Sequence, residues 1–190
     1  MTDEEIKTKR LSDWKPETDI KLQKAFGKFV EEGGELAVET YNFRTSRGPR
    51  DTVSFENELA DCVAVASMIQ RASGGRVTSD EGTIDRCMNE LLEIDRDLNE
   101  SLNLLLKVLG DCFTIIGRCQ IQGLDKADPE SAEPNSTKLS YSIMRFGVVV
   151  AYIIGRFDLD DERWGARVAA KIDSKLPWVM GTATDLLPDN

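Results

Sequence analysis

Two pairs of acidic residues, each spaced three apart, carry the chemistry that this sequence can do. They are Glu32 and Glu35, within Glu31-Glu32-Gly33-Gly34-Glu35, and Glu58 and Asp61, within Glu58-Leu59-Ala60-Asp61. Residues three apart share one side of a helix, so each pair presents two carboxylates in one direction. Four carboxylates meeting from two helices would repel one another and lose hydration, which drives their pKa values upward. A hard divalent cation removes that penalty. Mg²⁺ suits the task because it takes one or two carboxylates and keeps positions for water and substrate phosphate oxygens. The chain has no histidine, which excludes Ser-His-Asp and Cys-His catalysis, His-liganded zinc and the ExxH pairs of di-iron bundles. Chemistry must rest on carboxylates, lysine, arginine or a metal.

The elements that position these acids follow from apolar periodicity. Leu22, Phe26, Phe29, Gly33, Leu36 and Thr40 recur at three- and four-residue steps, which predicts a helix over about 19–43 with Thr18 or Asp19 as its cap. At about 100° per residue, Glu32, Glu35 and Glu39 flank the face centred on Phe29, with Lys21 and Lys28 on the same line. Phe55, Leu59, Cys62, Ala66 and Ile69 predict a second helix over about 54–72, stopped by Gly74-Gly75. Its broad apolar stripe places it centrally, and Glu58 and Asp61 lie beside that stripe. The run Arg44 to Thr52 breaks the chain with Gly and Pro, and so short a connection favours antiparallel packing that turns the two pairs toward each other. Gly33 and Gly34 would let a backbone or substrate come close. One EExxE alone is an ordinary solvated face in a chain of 34 acids. Two such pairs, each beside a core stripe on adjacent helices, favour a site.

The remainder also reads as helical. Residues 1–17 are polar and predict a flexible arm, leaving 18–190 as a single all-α catalytic domain. Further helices are predicted over about Glu81–Leu106, Val108–Gln122 and Ser140–Arg156, and a last one from near Asp160 to before Pro177. The run VVVAYII fits helix or strand by periodicity and is assigned to helix because no partner strand is visible.

Composition narrows the function. The net charge of −10 and pI of about 4.6 repel nucleic acid, whereas small phosphorylated substrates remain accessible through a bridging cation. The N-terminal run lacks the apolar core of a signal peptide, and the longest apolar run, Phe146 to Ile154, falls short of a membrane span. The expectation is a cytoplasmic protein with no membrane partner. Cys62, Cys87, Cys112 and Cys119 form no CxxC pair and read as reduced structural thiols.

Glu31-Glu32-Gly33-Gly34-Glu35, then 22 residues, then Glu58-Leu59-Ala60-Asp61, resembles the EExxE…ExxD signature of the MazG-like all-α NTP pyrophosphohydrolases. That superfamily also includes dimeric dUTPases and phosphoribosyl-ATP pyrophosphohydrolases. The motif covers residues 31–61, and the flanking helices extend the likeness to about 20–72. The resemblance implies a MazG-like helical bundle in which Glu32, Glu35, Glu58 and Asp61 bind Mg²⁺, for which Mn²⁺ can substitute. Glu31 becomes a lesser ligand or an orienting base for water. The implied reaction cleaves the α–β phosphoanhydride of a nucleoside triphosphate, with dGTP weakly favoured and dUTP next. The segment Arg163 to Leu176 resembles the basic helix that closes related members, where Lys171 and Lys175 would reach the phosphates. Lys28 and the loop residues Arg44, Arg47 and Arg50 are further candidates for phosphate or base. A homo-oligomer, dimer or tetramer, is expected because helical pairs of this kind leave apolar faces to cover.

Other signals point less far. Asn89-Glu90-Leu91-Leu92-Glu93 followed by Val108-Leu109-Gly110-Asp111 echoes the motif with Val108 in place of an acid, either a degenerate second half or chance. Asp158-x-Asp160-x-Glu162 lacks the glycine and the final Glu of a calcium loop, and no P-loop is present. Trp14, Trp164 and Trp178 are assigned no role. The competing reading is a non-catalytic helical binding or regulatory protein.

Overall fold

Asp19 opens the first helix. Its carboxylate accepts from the backbone N–H of Lys21 at 2.9 Å and of Leu22 at 3.2 Å, satisfying donors that a helix start leaves open. The computed structural model describes residues 19–46, 52–78, 81–92, 96–127, 132–157, 159 and 161–180. Among these are six helices and no strand: α1 (Ile20–Thr45), α2 (Thr52–Ala72), α3 (Glu81–Leu92), α4 (Leu98–Gln122), α5 (Asn135–Arg156) and α6 (Asp161–Met180). The protein is all-α, as its periodicity predicts. The proposed arm over residues 1–17, and with it Trp14, lies outside the described residues.

α1 and α2 form an antiparallel hairpin. Phe43 near the end of α1 stacks on Phe55 near the start of α2, with ring centroids 4.7 Å apart, while Glu32 and Asp61 meet near the middles. α4 and α5 make a second hairpin, tied where Cys112 Sγ donates to the Ser142 carbonyl at 3.3 Å and Asp111 pairs with Arg145 at 3.6 Å. Phe29 of α1 joins the two hairpins through edge-on contacts with Phe113 of α4 and Phe146 of α5. α6 lies along α2 and touches α1, and α3 covers α5. α2 is buried on most sides, from Phe55 to Ala72, which makes it the central helix that its broad stripe implied.

Four boundaries differ from the periodicity reading, one of them the start of α5, which lies at Asn135 rather than near Ser140. The helix expected over 81–106 ends at Leu92, and α4 begins at Leu98. The reason is a capping box: Asp97 accepts from the Glu100 N–H at 2.8 Å, and the Glu100 carboxylate accepts from the Asp97 N–H at 3.2 Å. α4 then runs unbroken through Lys107, because Leu102, Leu105, Val108, Leu109, Cys112, Ile116 and Cys119 keep one buried stripe. α6 continues past Pro177 to Met180. Val179 is buried and Leu176 packs on the core, so tertiary packing outweighs the one backbone hydrogen bond that proline forfeits. VVVAYII is helical, with Val148, Val149, Val150, Ile153 and Ile154 buried. α5 is long and apolar enough to cross a membrane by length and composition, yet 56% of its apolar window is buried inside the bundle. The echo of the acidic motif does not reproduce the first hairpin: α4 packs chiefly on α5, whereas α1 packs chiefly on α2.

Gly33 and Gly34 have different surroundings. A Cβ on Gly33 would stand 2.5 Å from Phe113 Cζ and 3.1 Å from Leu109 Cδ1, whereas one on Gly34 would meet nothing. Gly33 is thus the point where α4 comes close to α1. Gly33→Ala is expected to destabilise the fold by about 1–3 kcal/mol through overpacking. Gly34→Ala should stabilise it by up to about 1 kcal/mol through helix propensity. Urea denaturation midpoints check both, and equal shifts for the two variants would contradict the close approach at Gly33.

Candidate metal centre

The antiparallel α1–α2 hairpin brings Glu32, Glu58 and Asp61 together, with one carboxylate oxygen of each within 4.8 Å of the others. Glu32 is 3% exposed and Asp61 4%, so these are acids on the core side of their helices rather than on a solvated face. Glu58 is half-buried, and its Oε2 is fully buried without a hydrogen-bond partner. Cys62 lies beneath the cluster. Burial first, then the charges of Glu32, Glu58 and Asp61, hold its thiol well above the ordinary value, so it is protonated and inert.

Three cations of α6 close the site from above. Arg167, Lys171 and Lys175 repeat at four-residue steps and so share one helix face. Arg167 pairs with the buried Glu56 at 3.1 Å and donates to Asn57 at 3.0 Å. Lys171 Nζ lies 2.5 Å from Asp61 Oδ2. Lys175 Nζ donates to Glu32 Oε1 at 2.6 Å and stands 2.7 Å from Asp61 Oδ1. That last contact is an ion pair without hydrogen-bond alignment, since Asp61 Oδ1 has no hydrogen-bond partner. From α1, Lys28 reaches Glu31 at 2.8 Å and Glu32 at 2.7 Å.

The electrostatics follow from this crowding. Glu58 has its pKa raised by burial first, then by the charges of Asp61, Glu35 and Glu32, with Lys171 opposing. Burial pulls Lys175 down, but its contacts with Asp61 and Glu32 outweigh that, and its pKa is raised. Lys28 is raised in the same way by Glu31 and Glu32 against the pull of burial. The donor set is three hard carboxylates, two of them with a buried oxygen that accepts no hydrogen bond, Glu58 Oε2 and Asp61 Oδ1, and no soft sulfur donor joins it. That chemistry fits Mg²⁺ or Mn²⁺.

The residues singled out in the sequence divide clearly. Glu32, Glu58 and Asp61 converge. Glu35 is exposed at the rim, close enough for its charge to act on Glu58. Glu31 is exposed and paired with Lys28. Lys171 and Lys175 are at the cluster, although they contact its carboxylates. Arg44 faces α4 instead, donating to Asn103 at 2.6 Å, and Arg47 and Arg50 lie outside the described residues. Glu56 and Arg167 were missed. The signal for Arg167 was the spacing Arg167, Lys171, Lys175; for Glu56 no local pattern distinguishes a buried acid from a surface one. All four cysteines are buried and none forms a disulfide. Comparison with known protein families, with curated proteins and with solved structures finds no match.

Two carboxylates of this cluster should respond oppositely when neutralised in chelator. The folded-state pKa of Glu58 lies above its ordinary 4.5, so the native state holds its proton longer than the unfolded state. Stability therefore falls as pH rises from 4.5 through the raised value and stays lowered above it. Glu58→Gln removes this component: its melting temperature should exceed wild type at neutral pH, the gap opening above pH 4.5 and then levelling. Asp61→Asn strands Lys171 and leaves Lys175 with Glu32 alone, and should cost about 1–3 kcal/mol, between the exposed and buried limits for ion pairs. Thermal melts across pH test both, and a Glu58→Gln variant that melts below wild type at neutral pH would contradict the crowding.

Proposed function

We propose that the chain is a Mg²⁺-dependent nucleoside triphosphate pyrophosphohydrolase. It would use one water to split the α–β phosphoanhydride and release a nucleoside monophosphate and pyrophosphate. The observation that supports this reading is the convergence of Glu32, Glu58 and Asp61 around the orphaned Glu58 Oε2, at the place where the sequence resembles the EExxE…ExxD signature. Glu32, Glu58 and Asp61 would hold the cation, with Glu35 contributing from the rim and Glu31 orienting water beside it. A bound divalent cation supplies charge screening for phosphate oxygens and acidifies a neighbouring water. Lys171 and Lys175 carry flexible stems with three donors each, and the ammonium groups that pair with the acids can turn to phosphate oxygens of the substrate. Lys28, from the same face of α1, adds positive charge. In a dimer or tetramer, a second copy would cover the exposed apolar side chains of α1, Val30, Val38 and Tyr41.

Incubation with Mg²⁺ or Mn²⁺ and a panel of ribo- and deoxynucleoside triphosphates, dGTP first and dUTP second, is expected to release pyrophosphate and the monophosphate. Chelator should abolish release, and Asp61→Asn should lower kcat/KM by about 100-fold or more. Orthophosphate as the product, or no turnover on any triphosphate with metal present, would overturn the proposal.

One observation favours a second reading. Lys171, Lys175 and Arg167 already pair with Asp61, Glu32 and Glu56, so the cluster would serve equally as a clasp joining α6 to the α1–α2 hairpin in a non-catalytic binding protein. Melts with and without Mg²⁺ separate the two: a metal site predicts stabilisation by Mg²⁺ that Asp61→Asn removes, and a clasp predicts no response.

A further inference from the structure

A second site lies away from the acidic cluster and shares no residue with it. Between α3, α4, α5 and the connection after α2 opens a cleft of about 630 Å³, the size range of small-molecule sites. Four cations line it, Arg76, Arg86, Arg118 and Lys138, against two acids, Asp111 and Glu133. From outside the lining, Arg145 pairs with Asp111 at 3.6 Å and Asp125 with Arg76 at 4.0 Å, which leaves the surplus of cations in place. In a chain of net charge −10, this local excess of positive charge runs against the overall field.

Its geometry is suited to an anion. The Arg86 guanidinium is held 4.9 Å over the ring of Tyr141, an arrangement that limits its freedom before any ligand arrives. Arginine forks match phosphate oxygens in pairs. The cleft also meets the N-terminal end of α5, a 22-residue helix whose first turn has no acid, although the Asn135 and Ser136 N–H groups there already donate to the Lys126 and Leu124 carbonyls. Thr137 and Lys138 of that turn line the cleft, so the positive end of the helix dipole adds to the cations.

We propose that this cleft binds a small phosphate-bearing molecule with at least two negative charges, independently of any divalent metal. The ligand is anchored by Arg86 and Arg118 across the cleft and by Lys138 at the start of α5.

The test is calorimetric titration of the full chain in chelator, which removes metal-bridged binding at the acidic cluster. The probes are inorganic pyrophosphate, a nucleoside monophosphate and the corresponding unphosphorylated nucleoside. Saturable binding of pyrophosphate or the monophosphate is expected in wild type and in Asp61→Asn. The double variant Arg86→Gln/Arg118→Gln should weaken it by at least about tenfold per cation removed. Both arginines are exposed and the contact of Arg86 with Tyr141 is a surface one, so the melt should stay close to wild type; Lys138→Gln serves as the second variant and should weaken binding in the same direction. Whichever phosphate probe binds more tightly assigns the ligand as inorganic or nucleotide. Absence of saturable binding, binding unchanged by these variants, or a nucleoside that binds as well as its monophosphate would overturn the proposal.

Discussion

Repulsion among Glu32, Glu58 and Asp61 is the constraint to which the surrounding helices conform. Two of these acids are nearly buried and the third has an oxygen without a partner, so positive charge must be brought to them if the α1–α2 hairpin is to close. Lys28 supplies some of it from within α1, and Lys171 and Lys175 supply the rest from α6. Removing such charges from water costs several kcal/mol each, and pairing repays that only where the geometry is good. The paired carboxylates therefore contribute less to stability than their short distances suggest.

The rest of the bundle keeps the acids in register. Phe43 on Phe55 fixes one end of the hairpin, and Phe29, wedged between Phe113 and Phe146, ties its middle to α4 and α5. Gly33 follows Glu32 directly, and the absence of a side chain there lets Phe113 seat against α1. The residue that leaves room for packing thus neighbours a residue of the site. Arg167 on Glu56 anchors the start of α6, which aligns Lys171 and Lys175 over the acids one and two turns later. Position of charge here is a consequence of helix period.

Much of this was legible in the sequence because amphipathic helices announce themselves. The cores of α1 and α2 and the placement of Glu32, Glu58 and Asp61 beside an apolar stripe follow from a repeat of three and four, and residue type narrows the cap of α1 to Thr18 or Asp19, of which the structure uses Asp19. Glu35 shows the limit of that reasoning. It has the same spacing from Glu32 as Asp61 has from Glu58, yet its side chain is exposed, because a wheel gives direction but not how far a neighbouring helix reaches over it. The break between α3 and α4 carries no Gly or Pro, residues 93–97 reading Glu-Ile-Asp-Arg-Asp, so no breaker marks it, although Asp97-x-x-Glu100 was available as a local signal. The cationic cleft was not legible at all: Arg76, Arg86, Arg118 and Lys138 come from four separate segments, and no periodicity links them. Glu56 with Arg167 is the same case in miniature, a pair 111 positions apart joined only by the docking of α6.

Whether the carboxylates of α1 and α2 share a divalent ion is measured most directly by anomalous scattering from crystals of the full chain soaked in Mn²⁺. A divalent-cation site predicts a peak among Glu32, Glu58 and Asp61, with carboxylate oxygens at about 2.1–2.2 Å and Lys175 moved off Asp61. Saturating Mn²⁺ with no peak there, and with Lys171 and Lys175 still seated on Asp61, would contradict it.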